Sequence, residues 1–189
     1  MSTNPTRYTV PAIVLHWLIS IMILGTFAVG LYMADLRLSP VKLKLFSWHK
    51  WSGITVLGLA MLRLTWRLFN QPPSLPDAMQ KWQRNIATGL HHLLYLLMFL
   101  IPLSGWLMSS AKGFQVVYFG LWPLPDLISK NEIWADYLKE IHEFLNYGMI
   151  VLVIGHAAAA LKHHFIDKDD VLIRMLPFLK SKTSSKDQK

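Results

Sequence analysis

The 189-residue sequence contains no cysteine. Disulfides, thiolate-held zinc, iron–sulfur clusters and the CxxCH attachment of covalent haem are all excluded. Charge is also scarce. Charged residues make up only 16% of the chain, and 11 acidic residues face 19 Lys and Arg. Hydrophobic residues reach 53% and Trp occurs eight times. A soluble domain of this length could not easily bury so much apolar surface, so the composition points to a membrane protein. The net charge of +8 does not imply nucleic acid. The basic residues cluster at the ends of apolar segments and in the tail, where they suit anionic lipid headgroups.

Four apolar segments are long enough to span a bilayer. They run from about Val10 to Met33, Trp48 to Leu68, Leu90 to Ser110 and Ile141 to Leu161. The first lacks a strongly basic start and a small-residue cleavage site, so it is expected to be retained as a span. Pro11 suits a first helical turn. Pro102, followed by Gly105, is expected to kink the third span. The connection from Ala111 to Glu140 is rich in Trp, Pro and Gly and is expected to form an interfacial cap. The fold expected is all-α, an integral membrane four-helix bundle. Residues 1–180 form its single domain, and 181–189 a disordered cytoplasmic tail.

With both termini inside, twelve Lys and Arg fall on the cytoplasmic side and seven on the other. The positive-inside rule then selects N-in, C-in. The first outer loop is itself basic, with Arg37, Lys42, Lys44 and, at the start of the second span, Lys50.

Imidazoles inside such segments are costly and need partners. His142 and His156 lie fourteen positions apart on the fourth segment. At a helical pitch they are about 21 Å apart and within roughly 40° of the same face. His16 lies near the inner end of the first helix and His49 near the outer end of the second. Depth therefore pairs His16 with His156 and His49 with His142. Each pair comes from two helices, as ligation of a planar macrocycle from both faces requires. Two bis-histidine haem sites stacked across the bilayer follow, and neutral imidazole on both sides of the iron favours electron transfer. A lone span-end histidine is more often interfacial, but four matched in depth and face reverse that balance.

His91 and His92 open the third span at a depth close to His16 and His156. Either could replace one of those ligands, line a quinone or propionate pocket, or simply sit at the interface. Arg63, Arg67 and Lys50 are candidates for holding anionic propionates, although the arginines also satisfy the positive-inside rule. Trp17, Trp48, Trp51, Trp66 and Trp106 are explained by an interfacial belt.

These residues resemble the bacterial dihaem cytochrome b561 family. The matching pieces are Leu15-His16-Trp17, the His49 segment, Leu138 to Glu143, Gly155 to Phe165, and the ending from Asp167 to Pro177. The resemblance covers the chain from Tyr8 to about Pro177. It implies a multi-pass bundle of the bacterial inner membrane with two non-covalent b haems, ligated by His16, His49, His142 and His156. It also implies an activity like that of superoxide oxidases, in which periplasmic superoxide is the donor and ubiquinone the acceptor. A basic outer mouth of Arg37, Lys42, Lys44 and Lys50 would draw in a small anion. The alternative implied by broader relatives is an anchor subunit that relays electrons between the quinone pool and a periplasmic redox protein docked on the cap.

Overall fold

The computed structural model describes residues 7–76 and 79–176. Four long helices follow one another along the chain: α1 Val10–Asp35, α2 Pro40–Phe69, α3 Lys81–Ala111 and α4 Glu132–Lys162. Between α3 and α4 lies a small antiparallel hairpin, β1 Val117–Tyr118 paired with β2 Trp122–Pro123. A π-helical turn, His163–Asp167, extends α4. The proposed tail, 181–189, lies outside the described residues.

The helices begin where local chemistry satisfies their free N–H groups. Proline occupies the first turn of both α1 and α2, a position where its missing N–H costs nothing. The Ser39 hydroxyl accepts from the Lys42 N–H at 3.2 Å, and the Asn131 side chain accepts from the Trp134 N–H at 3.1 Å. Gln80 and Gln83 form a reciprocal capping box at the start of α3. These caps lie upstream of the apolar stretches, so α2, α3 and α4 all start earlier than hydropathy suggests. The corrections are largest at α3, expected from Leu90 but starting at Lys81, and at α4, expected from Ile141 but starting at Glu132. Asp136, Lys139 and Glu140 make the first turns of α4 polar, which hides them from an apolar count.

Three helices, α1, α3 and α4 with its π-turn, are long and apolar enough to cross a membrane. The 30-residue α2 is long enough but falls short on composition. It carries Lys42, Lys44, Lys50, Arg63 and Arg67. The helix nevertheless sits inside the bundle, packed on α1 and on α3. Many large side chains on the helices face outward, among them Ile21, Leu62, Leu96, Val151 and Ile154. An apolar exterior of this kind belongs against lipid.

The core has two parts. Ile19, Ala60, Leu97, Met98 and Met149 bring all four helices together at mid-depth. Ala111, Ala135 and Leu138 close the outer end between α3 and α4. α4 packs closely along α3, but no comparable backbone packing joins it to α1 or α2 among the described residues. Side chains, not close backbone approach, join α4 to α1 and α2.

Indole N–H groups latch the ends. Trp51 donates to the Val117 carbonyl at 2.7 Å and Trp106 to the Pro125 carbonyl at 3.1 Å, tying the cap to α2 and α3. At the other end Trp17 donates to the Met175 carbonyl and Trp66 to the Thr9 hydroxyl, each at 2.9 Å. These bonds give the tryptophans positions that a belt alone does not specify.

Candidate haem-binding histidine pairs

The histidines converge where α4 faces α1 and α2. The rings of His49 and His142 have their centres 6.1 Å apart, and those of His16 and His156 are 6.2 Å apart. Met149, midway along α4 between its two histidines, is buried in the central cluster. An apolar plug therefore separates an outer pair from an inner pair.

Those spacings fit a metal held between two imidazoles. A metal–imidazole bond of about 2 Å, with each ring centre roughly an ångström behind its nitrogen, puts opposed ring centres about 6 Å apart. A small apolar cavity beside the outer pair is lined by Phe27, Val56, Leu97, Met98 and Met149.

The outer rings also have a defined tautomer. His49 Nδ1 lies 3.1 Å from the Thr26 carbonyl, and His142 Nδ1 lies 3.0 Å from the Ile101 carbonyl. A carbonyl only accepts, so both Nδ1 atoms carry the proton. Each Nε2 is then a free lone pair, the usual arrangement of a ligating histidine with its second-shell acceptor. Pro102 lies inside α3 and lacks the N–H that would pair with the Met98 carbonyl, yet the helix continues unbroken to Ala111. Ser104 adds a contact of 3.0 Å to His142 Nδ1.

Two glycines make this placement possible. A Cβ at Gly30 would come within 3.0 Å of His49 Cε1, and a Cβ at Gly105 within 3.0 Å of His142 Cε1. A Cβ at Gly25, Gly53, Gly58 or Gly155 would meet nothing within 4 Å. Gly105 reads from sequence as part of the Pro102 kink. Its spacing of three residues from Pro102 was the available signal, but it does not reveal which ring the glycine accommodates.

The inner pair is surrounded differently. Among the described residues no hydrogen bond to the His16 or His156 ring is seen. His91, on α3, puts its ring centre 5.3 Å from that of His156. His92, its neighbour, is exposed. The structure thus separates two residues that the sequence leaves equivalent. Arg63 turns into the bundle, donating through Nη1 to the Ala12 carbonyl at 2.7 Å and through Nε to the Tyr95 hydroxyl at 3.1 Å. Arg67 stacks over the Tyr95 ring at 5.4 Å. Tyr8 joins this cluster just before α1; burial pushes its phenol pKa up, opposed by Arg67, Arg63 and Arg174.

The basic residues of the outer side do not gather into one mouth. Lys42 Nζ donates to the Leu36 carbonyl at 2.6 Å, where it caps the end of α1. Lys44 lies over the Trp48 ring at 5.0 Å. Lys50 reaches the Phe114 carbonyl at 3.4 Å and the face of the Phe114 ring at 6.0 Å, so it holds the cap. Arg37 is exposed. Beyond α4, His163 Nδ1 lies 2.7 Å from Asp169 and 3.2 Å from Asp167, whose carboxylate also holds Lys162 at 2.6 Å. His163 thus joins a cluster with Lys162, Asp167 and Asp169.

Comparison with known proteins agrees with this architecture. The model of the family described as prokaryotic cytochrome b561 matches residues 7–178. Cytochrome b561 homolog 2 of Escherichia coli is 37% identical over 176 residues, covering 93% of this chain and 94% of the relative. Cytochrome b561 homolog 1 of the same organism is 32% identical, covering 90% and 97%. A probable superoxide oxidase CybB of Yersinia pestis is 31% identical, covering 90% and 96%. The chain therefore belongs to the prokaryotic cytochrome b561 family, b-type haem proteins of the bacterial inner membrane that transfer electrons.

Proposed function

We propose that this protein carries electrons across the inner membrane through two b-type haems, from superoxide on the periplasmic side to ubiquinone. The observation that carries the reading is the pair of opposed imidazole sets on one shared helix, with ring centres 6.1 and 6.2 Å apart. In this reading His49 and His142 hold the outer haem, and His16 and His156 the inner one. A haem iron closed on both faces by imidazole supplies a one-electron couple with no open coordination position.

The residues contribute position and field. The Thr26 and Ile101 carbonyls hold the outer Nδ1 protons and leave each Nε2 as the nitrogen with a lone pair. The apolar shell around Met149 keeps water from the space between the pairs. Both termini lie inside, as the balance of Lys and Arg favours. Arg37 and Lys44 act on superoxide through the long-range field of the outer surface, which raises the encounter rate of a small anion without a contact site. Each superoxide loses one electron and leaves as dioxygen. Two electrons and two protons convert one ubiquinone to its quinol. The superoxide assignment draws on the name of the Yersinia pestis relative.

The test is the visible spectrum of the purified protein with haem counted per chain, before and after exposure to a superoxide-generating system. Two b-type haems, reduced by superoxide and protected from reduction by superoxide dismutase, are expected. Reduction unaffected by the dismutase would overturn superoxide as donor. A stoichiometric periplasmic protein co-purifying with the chain would favour the relay role instead.

A further inference from the structure

We infer that Arg63 biases electron transfer inward, by placing beside the inner histidine pair a positive charge that no protein carboxylate pairs with among the described residues, and that has no counterpart at the outer pair. The inference rests on the two-haem reading above and concerns the direction of flow between the sites.

Arg63 comes from α2 but reaches across the bundle. Its two partners, the Ala12 carbonyl on α1 and the Tyr95 hydroxyl on α3, lie one helical turn from His16 and His91 respectively. The guanidinium is thereby fixed beside the ring cluster instead of snorkelling to the headgroups. Through these contacts its charge lies within about a helical turn of His16 and His91, with Arg67 beside it over the Tyr95 ring. Both hydrogen-bond partners are neutral, and no carboxylate pairs with Arg63 among the described residues.

The outer pair has the opposite environment. The charged group that faces it is Glu143, next to His142 on α4. The groups that hold the His49 and His142 rings, the Thr26 and Ile101 carbonyls and the Ser104 hydroxyl, are all neutral. Lys50, although adjacent to His49 in sequence, is turned away to the cap. Glu143 is itself exposed and lies 3.7 Å from Lys139, so its field is screened. The asymmetry therefore comes mainly from Arg63.

The consequence for electron transfer follows from sign alone. Adding an electron lowers the net charge of a site by one. A fixed positive charge nearby stabilises that change, and the partly buried setting of Arg63 keeps the interaction from being screened as it would be in water. The inner site then holds the electron more tightly than the outer one. An electron arriving at the periplasmic side moves inward with no added energy source.

The measurement is a spectroscopic redox titration of the purified full-length protein in detergent or nanodiscs. Wild-type protein should show two midpoints. Arg63→Gln should lower the higher of the two and leave the lower one in place, shifting the partition of an electron toward the outer site by about tenfold. Arg63→Lys, which keeps the charge, should restore most of the difference. Tyr95→Phe frees Nε without changing charge and should move the same midpoint by a smaller step. It supplies the test if Arg63→Gln does not assemble. Movement of the lower midpoint, equal movement of both, or loss of haem with no shift in what remains would overturn the inference. Failure of the wild-type protein to hold two haems would instead overturn the two-haem reading.

Discussion

The two histidine pairs share a helix and nearly equal spacing, yet they are built by different means. The outer rings are held mechanically: each Nδ1–H is tied to a carbonyl, and each ring rests against a glycine. The inner rings lack such ties and lie instead among a third imidazole, Arg63, Arg67 and Tyr95. The difference separates two requirements of an electron relay. The outer site has rings whose orientation is set by the backbone. The inner site has a charge environment that makes reduction favourable.

The strongest way to break the comparison is to remove one ligand at a time. His142→Ala should leave one haem per chain with the inner spectrum, and His156→Ala one haem with the outer spectrum, each a loss of about half the pigment. Haem quantitation resolves this. Loss of both haems from either variant would show that the sites do not assemble independently.

Next in size is the glycine cradle. Gly105→Val places side-chain atoms where even a Cβ would approach His142 within 3.0 Å. The ring is held by Ile101 and cannot yield freely. Outer haem occupancy should fall several-fold while the inner haem persists, as haem-to-protein ratios and the split of the α band would report. Equal loss at both sites would indicate global misfolding.

A smaller effect is expected at Ser104. Its hydroxyl also bonds the Ile101 carbonyl at 2.8 Å, so Ser104→Ala removes one of two restraints on His142. The cost should be about 1 kcal/mol, seen as slightly faster haem loss from the outer site alone on heating. The smallest is Trp51→Phe, which removes the donation to Val117 and should loosen the cap by about 1 kcal/mol. Increased proteolysis between 112 and 131 with both haem spectra unchanged would register it.

How much of this was legible in the sequence depends on what each residue's role requires. Helical pitch and depth suffice to match His16 with His156 and His49 with His142, because both are properties of a helix in a bilayer. They do not suffice for His91 against His92. Neighbouring residues on a helix point about 100° apart, and only the packing of α3 decides which of the two faces α4. The same holds for Arg63. Its position at the inner end is readable, but a long cation there satisfies the positive-inside rule whichever way it turns. Gly105 was hidden because the adjacent proline already accounted for a small residue. The first turns of α4 were hidden because their polarity reflects the interface, not the absence of a helix.

By itself the sequence determined the class of molecule, the apolar helices, the ligand-type side chains and their depths. Those features follow from hydropathy, from the absence of cysteine and from the fixed rise of an α-helix. Tertiary structure alone decided how the helices rotate about their axes. Rotation is set by which side chains interdigitate between neighbours, and no single helix contains that information. It turned Arg63 inward, set His91 beside His156 and directed Lys50 to the cap. Those choices separate a mechanically held outer site from an electrostatically tuned inner one.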